Sequence, residues 1–262
     1  MEIKKIIIPI AGLGTRFKPL SNVVPKEVMP LAFKPVLQYI LEEARDSGIN
    51  EVILVNRKNK TKTIDFFKEL FPDLIFREVI QKEQLGDGDA VLQARKYVRG
   101  DACAVSFNDD IVESKVPCIL QLIQAFKKYN APIVALHRVP DEKLSSYGVV
   151  RVEKAEGNVY RIREIVEKPD KDAPSNLAIV GKYILTPKVF EILGSNPPKM
   201  KGEVRISGVL NEIAKNEELY GVEFEGKWLE CGTKKTCFQT NLYLSMKEEE
   251  FKKAAEETLK NI

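Results

Sequence analysis

Five short segments carry residues whose types and spacing could do chemistry. The first is Ala11-Gly12-Leu13-Gly14-Thr15-Arg16, directly after the apolar run Lys5–Ala11. Glycines at that place let backbone N–H groups approach a ligand and point inward at phosphate oxygens. Arg16 adds a forked cation that suits phosphate. Two better-known phosphate loops do not fit: Phe17 stands where a dinucleotide fingerprint needs glycine, and the Gly-Lys-Ser/Thr of a Walker loop is absent. The second segment, Val24-Pro25-Lys26-Glu27-Val28-Met29-Pro30, restrains the backbone around Lys26 with two prolines, so the ammonium could neutralise a triphosphate. The third, Asn108-Asp109-Asp110, follows a short apolar run and offers adjacent carboxylates to a hard cation such as Mg2+.

The fourth segment is Glu164-Ile165-Val166-Glu167-Lys168-Pro169, in which a carboxylate that could hold sugar hydroxyls stands beside an ammonium for a phosphate. Tyr147-Gly148-Val149-Val150 offers a glycine where a ligand could approach the backbone. The fifth is Gln81 with Gly86 and Gly88, where an amide could read a base edge and the glycines could let the base lie on the backbone. Each segment alone also has an ordinary explanation: a tight turn, a surface lysine, a helix cap, an exposed ion pair, a strand glycine.

The elements that must position these residues alternate. Strands are predicted at 5–11, 51–56, 74–81, 102–107 and 133–138, and helices at 35–47, 61–71, 87–98 and 117–128. That rhythm predicts an α/β fold with a doubly wound, mostly parallel, Rossmann-like sheet. After residue 140 the rhythm changes. Strands at 147–153 and 159–166 flank a turn at Glu156-Gly157-Asn158, and a further strand covers 177–185. Helices are predicted at 187–193, 206–215 and 233 to about 259. The expected result is a mixed sheet with an added antiparallel portion. We read 1–262 as one domain: a nucleotide portion at 1–140, a sugar-phosphate portion at 141–232 and a C-terminal helix at 233–262.

Composition narrows the function. The chain has 262 residues, 44% of them hydrophobic, and a net charge of +3, so no bulk field points to a nucleic acid or a membrane. No apolar stretch reaches the ~18 residues that span a bilayer. The N-terminal run is short and lacks a small-residue cleavage site, which gives a cytoplasmic expectation. Four cysteines without a Cys-x-x-Cys pair, and a single histidine, His137, argue against zinc and exclude mechanisms that need a histidine pair.

Taken together and in order, the segments resemble bacterial UTP–glucose-1-phosphate uridylyltransferases, within the sugar-1-phosphate nucleotidyltransferases. The resemblance rests on Gly12-Leu13-Gly14-Thr15-Arg16, Pro19, Pro25-Lys26-Glu27, Pro30 and Lys34–Tyr39. It continues through Tyr147–Val150, Val166–Pro169 and Ser175–Gly181, across nearly the whole chain. The short glycine loop is similar to that of the uridylyl branch. The resemblance implies that Ala11, Gly12, Gln81 and Gly86 hold uracil and ribose, and that Gly14, Thr15, Arg16 and Lys26 hold the triphosphate. It implies Mg2+ on Asp109, and glucose 1-phosphate on Gly148, Glu167 and Lys168 with Val180 and Gly181 lining its pocket. Arg16, Lys26 and Lys168 would be the catalytic cations in an in-line attack that makes UDP-glucose and pyrophosphate. Self-association into a dimer or tetramer is a further implication.

Two departures stand out. Leu229-Glu230-Cys231-Gly232 carries glutamate where the family usually has a metal-supporting aspartate, so Glu230 would serve as the second metal carboxylate with one extra methylene. Gly202–Gly208 has glycine and serine where relatives often carry aspartate and threonine. The same chemistry on another nucleotide or hexose 1-phosphate, and a silent nucleotide-binding homologue, are the alternatives these departures leave open.

Overall fold

The computed structural model describes residues 2–57, 61–195, 197–200 and 202–261. In chain order its strands are β1 (Lys5–Pro9), β2 (Pro30–Leu31), β3 (Lys34–Pro35), β4 (Glu51–Asn56), β5 (Ile75–Ile80), β6 (Cys103–Ser106), β7 (Asp110–Glu113) and β8 (Ile133–Arg138). They continue as β9 (Gly148–Glu156), β10 (Val159–Glu167), β11 (Leu177–Leu185), β12 (Lys199–Met200), β13 (Glu203–Val204), β14 (Tyr220–Glu223) and β15 (Lys227–Glu230). The helices are α1 (Val36–Asp46), α2 (Thr61–Leu70), α3 (Asp87–Gln93), α4 (Arg95–Val98), α5 (Cys118–Tyr129), α6 (Pro187–Ser195), α7 (Ile206–Asn216), α8 (Lys234–Ser245) and α9 (Glu249–Lys260).

Nine strands form one sheet in the order β5-β4-β1-β6-β11-β8-β14-β10-β9. The first four are parallel, as their spacing by helices requires. β11 runs antiparallel to β6 and to β8, β14 is parallel to β8, and β10 is antiparallel to β14 and β9. The sheet is thus mixed, and the antiparallel strands continue it rather than forming a separate layer.

Both faces are covered, which is why β1 reads as an unbroken apolar run. Ile6 and Ile8 pack with α1, α2 and α5 through Leu37, Phe67 and Ile119. Ile7 points the other way, to α3, α6 and α7 through Val91, Phe190 and Leu210. Val52 and Leu54 on β4 join the first core, and Ile53 and Val55 the second.

Some elements differ from the expectation. Strand β14 has four residues and contains Gly221, too short and too broken to show a period. The glycine is needed because a Cβ there would come within 2.3 Å of Leu136 Cδ1. The small pair β7–β15 is not among the expected strands and lies against the site. The C-terminal helix is two helices with a break at 246–248. A capping box between Thr233 and Thr236 starts α8, and α9 rests Phe251 on Phe33 with ring centroids 4.3 Å apart. His137 lies against Phe224, and burial lowers its basicity, in keeping with a structural role. All four cysteines are free. Among the described residues no helix is long and apolar enough to cross a membrane.

One charge sits inside the sheet. Lys182 on β11 is fully buried, and its Nζ donates to Glu43 Oε2 at 2.7 Å and Ser106 Oγ at 2.9 Å. Glu43 Oε1 in turn accepts from the Ile119 N–H at 3.0 Å, so one ion pair ties α1, β6, β11 and α5 together. Removing one partner leaves the other charge buried and alone. Lys182→Ala is therefore expected to cost about 3–5 kcal/mol in urea unfolding, and Lys182→Met combined with Glu43→Leu to recover most of it.

Candidate active site

The carboxyl ends of β1, β5 and β6 lie on one edge of the sheet, where open α/β sheets bind ligands. The loops leaving those ends enclose a cleft of about 420 Å³. Ala11, Gly12, Gly14, Thr15, Arg16, Lys26, Gln81, Gly86 and Asp109 all line it. Asp87, Phe107, Asn108, Glu203 and Gly232 join them. The loop chemistry read from residues 11–16, 26, 81–86 and 109 is thus brought to one place.

The glycine loop has two distinct glycines. Gly12 has open space where a side chain would go, so a ligand can lie on its backbone. Gly14 is left-handed at φ 61°, and it starts a short 3-10 turn, Thr15–Phe17, that turns Arg16 toward the site. Arg16 Nη1 donates to the Gly232 carbonyl at 3.4 Å, joining the first loop to the segment after β15.

Gln81 is buried, and its amide N–H group donates to Asp89 Oδ2 at 2.7 Å and to the Gly86 carbonyl at 3.2 Å. Both donors are spent, so the acceptor Oε1 is what remains for a ligand. Asp89 on α3 was not foreseen; its place in Asp87-Gly88-Asp89-Ala90 gave no functional signal. Gly86 also has a packing reason: at φ 116°, a Cβ would come within 2.2 Å of the Val204 carbonyl oxygen. That contact, with Asp87 Oδ1 accepting from the Ile206 N–H at 2.7 Å, brings the segment 203–206 over the cleft.

Lys26 Nζ and Asp109 Oδ2 form an ion pair at 2.7 Å. Burial opposes the charge on Asp109, but the ammonium and guanidinium of Lys26 and Arg16 outweigh it and hold the carboxyl below its usual range. Asp110, one residue on, is pushed up to about 7 by burial and by the charge of Asp109. It accepts from Trp228 Nε1 at 2.8 Å and from the Gly181 N–H at 3.1 Å. The adjacent carboxylates therefore part company: Asp109 faces the cleft, and Asp110 serves the framework.

Glu230 lines a neighbouring hollow with Tyr147 and Trp228 rather than the cleft itself, and comes near Asp109 only beside Gly232. A Cβ placed on Gly232 would lie 3.0 Å from Glu230 Oε1 and 3.4 Å from both Asp109 Oδ2 and Arg16 Nη1. Two hard carboxylate oxygens converge there, a donor set that suits Mg2+. Among the described residues no group of three acidic, histidine or cysteine side chains could hold a metal unaided. An ion at Asp109 and Glu230 would thus draw its remaining ligands from substrate phosphate and water, the usual habit of Mg2+.

Of the residues assigned to a sugar phosphate, Gly148 and Glu167 face each other across β9 and β10, and a Cβ on Gly148 would meet Glu167 Oε2 at 3.1 Å. Glu167 lies close enough to Asp87 for its charge to raise that carboxyl, after the larger effect of burial. Lys168 is exposed and left-handed at φ 49°, with its N–H given to the Tyr147 carbonyl at 2.9 Å. Val180 and Gly181 present no side chain to a pocket. The Val180 side chain is fully buried in the core, and the space beside Gly181 is filled: a Cβ there would be 2.3 Å from Asp110 Oδ2 and 2.8 Å from Phe107. Only backbone at these two positions can meet a ligand.

Comparison with known proteins identifies the family. Residues 5–246 match the family described as nucleotidyl transferase. The chain is 36% identical to UTP–glucose-1-phosphate uridylyltransferase 2 of Staphylococcus saprophyticus, over 95% of this chain and 94% of that protein. It is 34% identical to a UTP–glucose-1-phosphate uridylyltransferase of Staphylococcus haemolyticus, over 96% and 95%. Among solved structures, a UDP-glucose pyrophosphorylase complexed with UDP-glucose superposes with a TM-score of 0.89 at 35% identity, over 94% of this chain and 100% of that one. A UTP-bound enzyme of the same name from Acinetobacter baumannii gives 0.86 at 27% identity, over 98% and 99%. With its fold and nearly its full length shared with these proteins, the chain belongs to the nucleotidyl transferase family.

Proposed function

We propose that the protein joins UTP and glucose 1-phosphate into UDP-glucose and pyrophosphate. The observation that carries this reading is the meeting of Arg16, Asp109 and Glu230 beside Gly232, with Lys26 paired to Asp109, next to a cleft lined by the glycine loop. The relatives named for this reaction, alike over almost their whole length, support the choice of substrates.

In this reading the 1–140 portion holds the nucleotide and the 141–232 portion the sugar phosphate. The Gln81 acceptor, with its N–H donors held by Asp89 and Gly86, meets the imide N–H of uracil. Cytosine has no hydrogen at that ring nitrogen. Gly12 and Gly14 let the phosphates lie close to the backbone, while Arg16 and Lys26 offset the charge of the leaving pyrophosphate. Lys168 aligns the attacking phosphate, and Glu167 and Gly148 hold the sugar. A phosphate oxygen attacks the α-phosphorus opposite the leaving group. As an anion it is already a nucleophile, and no general base is required, in keeping with one histidine in the chain. Mg2+, held by Asp109 and Glu230, would neutralise charge on the two phosphates as they meet. By the same resemblance we place the protein in the cytoplasm as a homo-oligomer.

The experiment that tests the reading is pyrophosphate release by the purified protein across a panel of nucleotides and hexose 1-phosphates. UTP with glucose 1-phosphate is expected to be the best pair, with CTP disfavoured by roughly 10⁴-fold, because a site built to bond an N–H rejects a base that lacks it. Another best pair would reassign the substrates, and no turnover with any pair would leave a binding protein. Lys26→Ala is expected to lower kcat by about 10²–10³-fold with an unchanged far-ultraviolet spectrum. Near-normal turnover would remove the lysine from the mechanism. Asp109→Asn should lose metal-dependent turnover altogether while still binding UTP in calorimetry.

A further inference from the structure

Tyr147 stands one residue before Gly148 and has no part in the reaction just described, yet it touches both halves of the site. Its backbone carbonyl accepts from the Lys168 N–H at 2.9 Å. Its phenol donates to Glu230 Oε2 at 2.8 Å. The ring lies against Trp228, with centroids 5.0 Å apart, and Trp228 Nε1 bonds Asp110 Oδ1. Trp228 and Glu230 are two residues apart on β15, so their side chains share a face, and Glu230 pairs with Asp110 across to β7.

These contacts bear on a specific difficulty. A glutamate reaches further than an aspartate and has one more rotatable bond, so its carboxylate must be fixed before it can serve a cation with strict geometry. Here the phenol takes one oxygen, Oε2. The other, Oε1, is left beside Gly232, on the same spot that Asp109 Oδ2 faces. We propose that Tyr147 is the positioning residue that makes Glu230 serviceable as the second metal carboxylate, while its carbonyl ties that carboxylate to the backbone of Lys168. The inference rests on the function proposed above and concerns how this chain accommodates glutamate there.

The test is the affinity of Mn2+, a paramagnetic substitute for Mg2+, for the enzyme with UDP-glucose present, read by electron paramagnetic resonance. Tyr147→Phe keeps the ring on Trp228, the only tryptophan, so unchanged tryptophan emission reports an intact site. The variant is expected to bind Mn2+ about 10–100-fold more weakly, the usual loss when a group that orients a metal ligand is removed. The metal concentration for half-maximal turnover should rise with it, and kcat at saturating metal should fall less. In a Glu230→Asp background the carboxylate falls short of the phenol, so adding Tyr147→Phe should change Mn2+ affinity by less than about twofold. Wild-type affinity in Tyr147→Phe, or an equal loss in both backgrounds, overturns the proposal. Asp109→Asn separates the two readings. If it binds Mn2+ as the wild type does, the metal site itself is wrongly placed. If it loses Mn2+ while Tyr147→Phe does not, only the role of Tyr147 falls.

Discussion

The ion pair between Lys26 and Asp109 is the contact on which the site depends. It joins the loop after β1 to the loop after β6, two segments that share no backbone ladder at that point. Asp109, paired with Lys26 and close enough to Arg16 to be held ionised by it, offsets both cations before any ligand arrives. Glu230 is held instead by the Tyr147 phenol. The arrangement is also easily exchanged. The pair is only part-buried, and in the reading proposed above a triphosphate would offer the lysine several oxygens in place of one carboxylate.

The prolines and glycines of the first loop follow from this. Pro25 and Pro30 bracket the short 3-10 turn that carries Lys26, and Glu27 in the same turn is buried, so the lysine is aimed by a rigid frame. Cys231 donates its N–H to the Asp109 carbonyl at 2.7 Å, which holds the backbone of the third loop against the end of β15. Three stretches far apart in sequence are thus stapled by two hydrogen bonds and one ion pair around a glycine. At Gly232, a Cβ would press on Glu230 Oε1 at 3.0 Å and touch Arg16 and Asp109 at 3.4 Å.

Much of this was legible in the residues. The strands at 51–56, 133–138 and 177–185 carry long apolar runs, and their bounds matched because a buried strand admits few polar residues. The gathering of residues 11–16, 26, 81–86 and 109 on one cleft was legible because each follows a predicted strand of the parallel sheet at its carboxyl end. What was not legible depends on long-range pairing. Nothing local in Tyr220–Glu223 announces a strand inserted between β8 and β10. Nothing near Asp89 says that it orients Gln81, eight residues back. The residues alone offered both Asp109 and Asp110 to a cation and only the resemblance favoured the first; burial and the Trp228 N–H tie the second to the framework.

Gly181 shows why the antiparallel strands belong in the same sheet. β11 pairs with β6 only through Lys182–Leu185, and its first half, Leu177–Val180, runs on past the end of β6 to pair with β8 and β9. A parallel strand in that place would have ended at the edge and turned away. An antiparallel one instead carries the sheet beyond the edge and raises a wall beside the cleft, on which Gly148 and Glu167 sit. At the point where the strand leaves β6, the β11–β8 register slips between Val180 and Tyr183, and the Asp110 carboxylate enters to take the Gly181 N–H. A side chain at 181 would close that space. Gly181 is thus the joint at which the parallel half of the sheet passes into the antiparallel half.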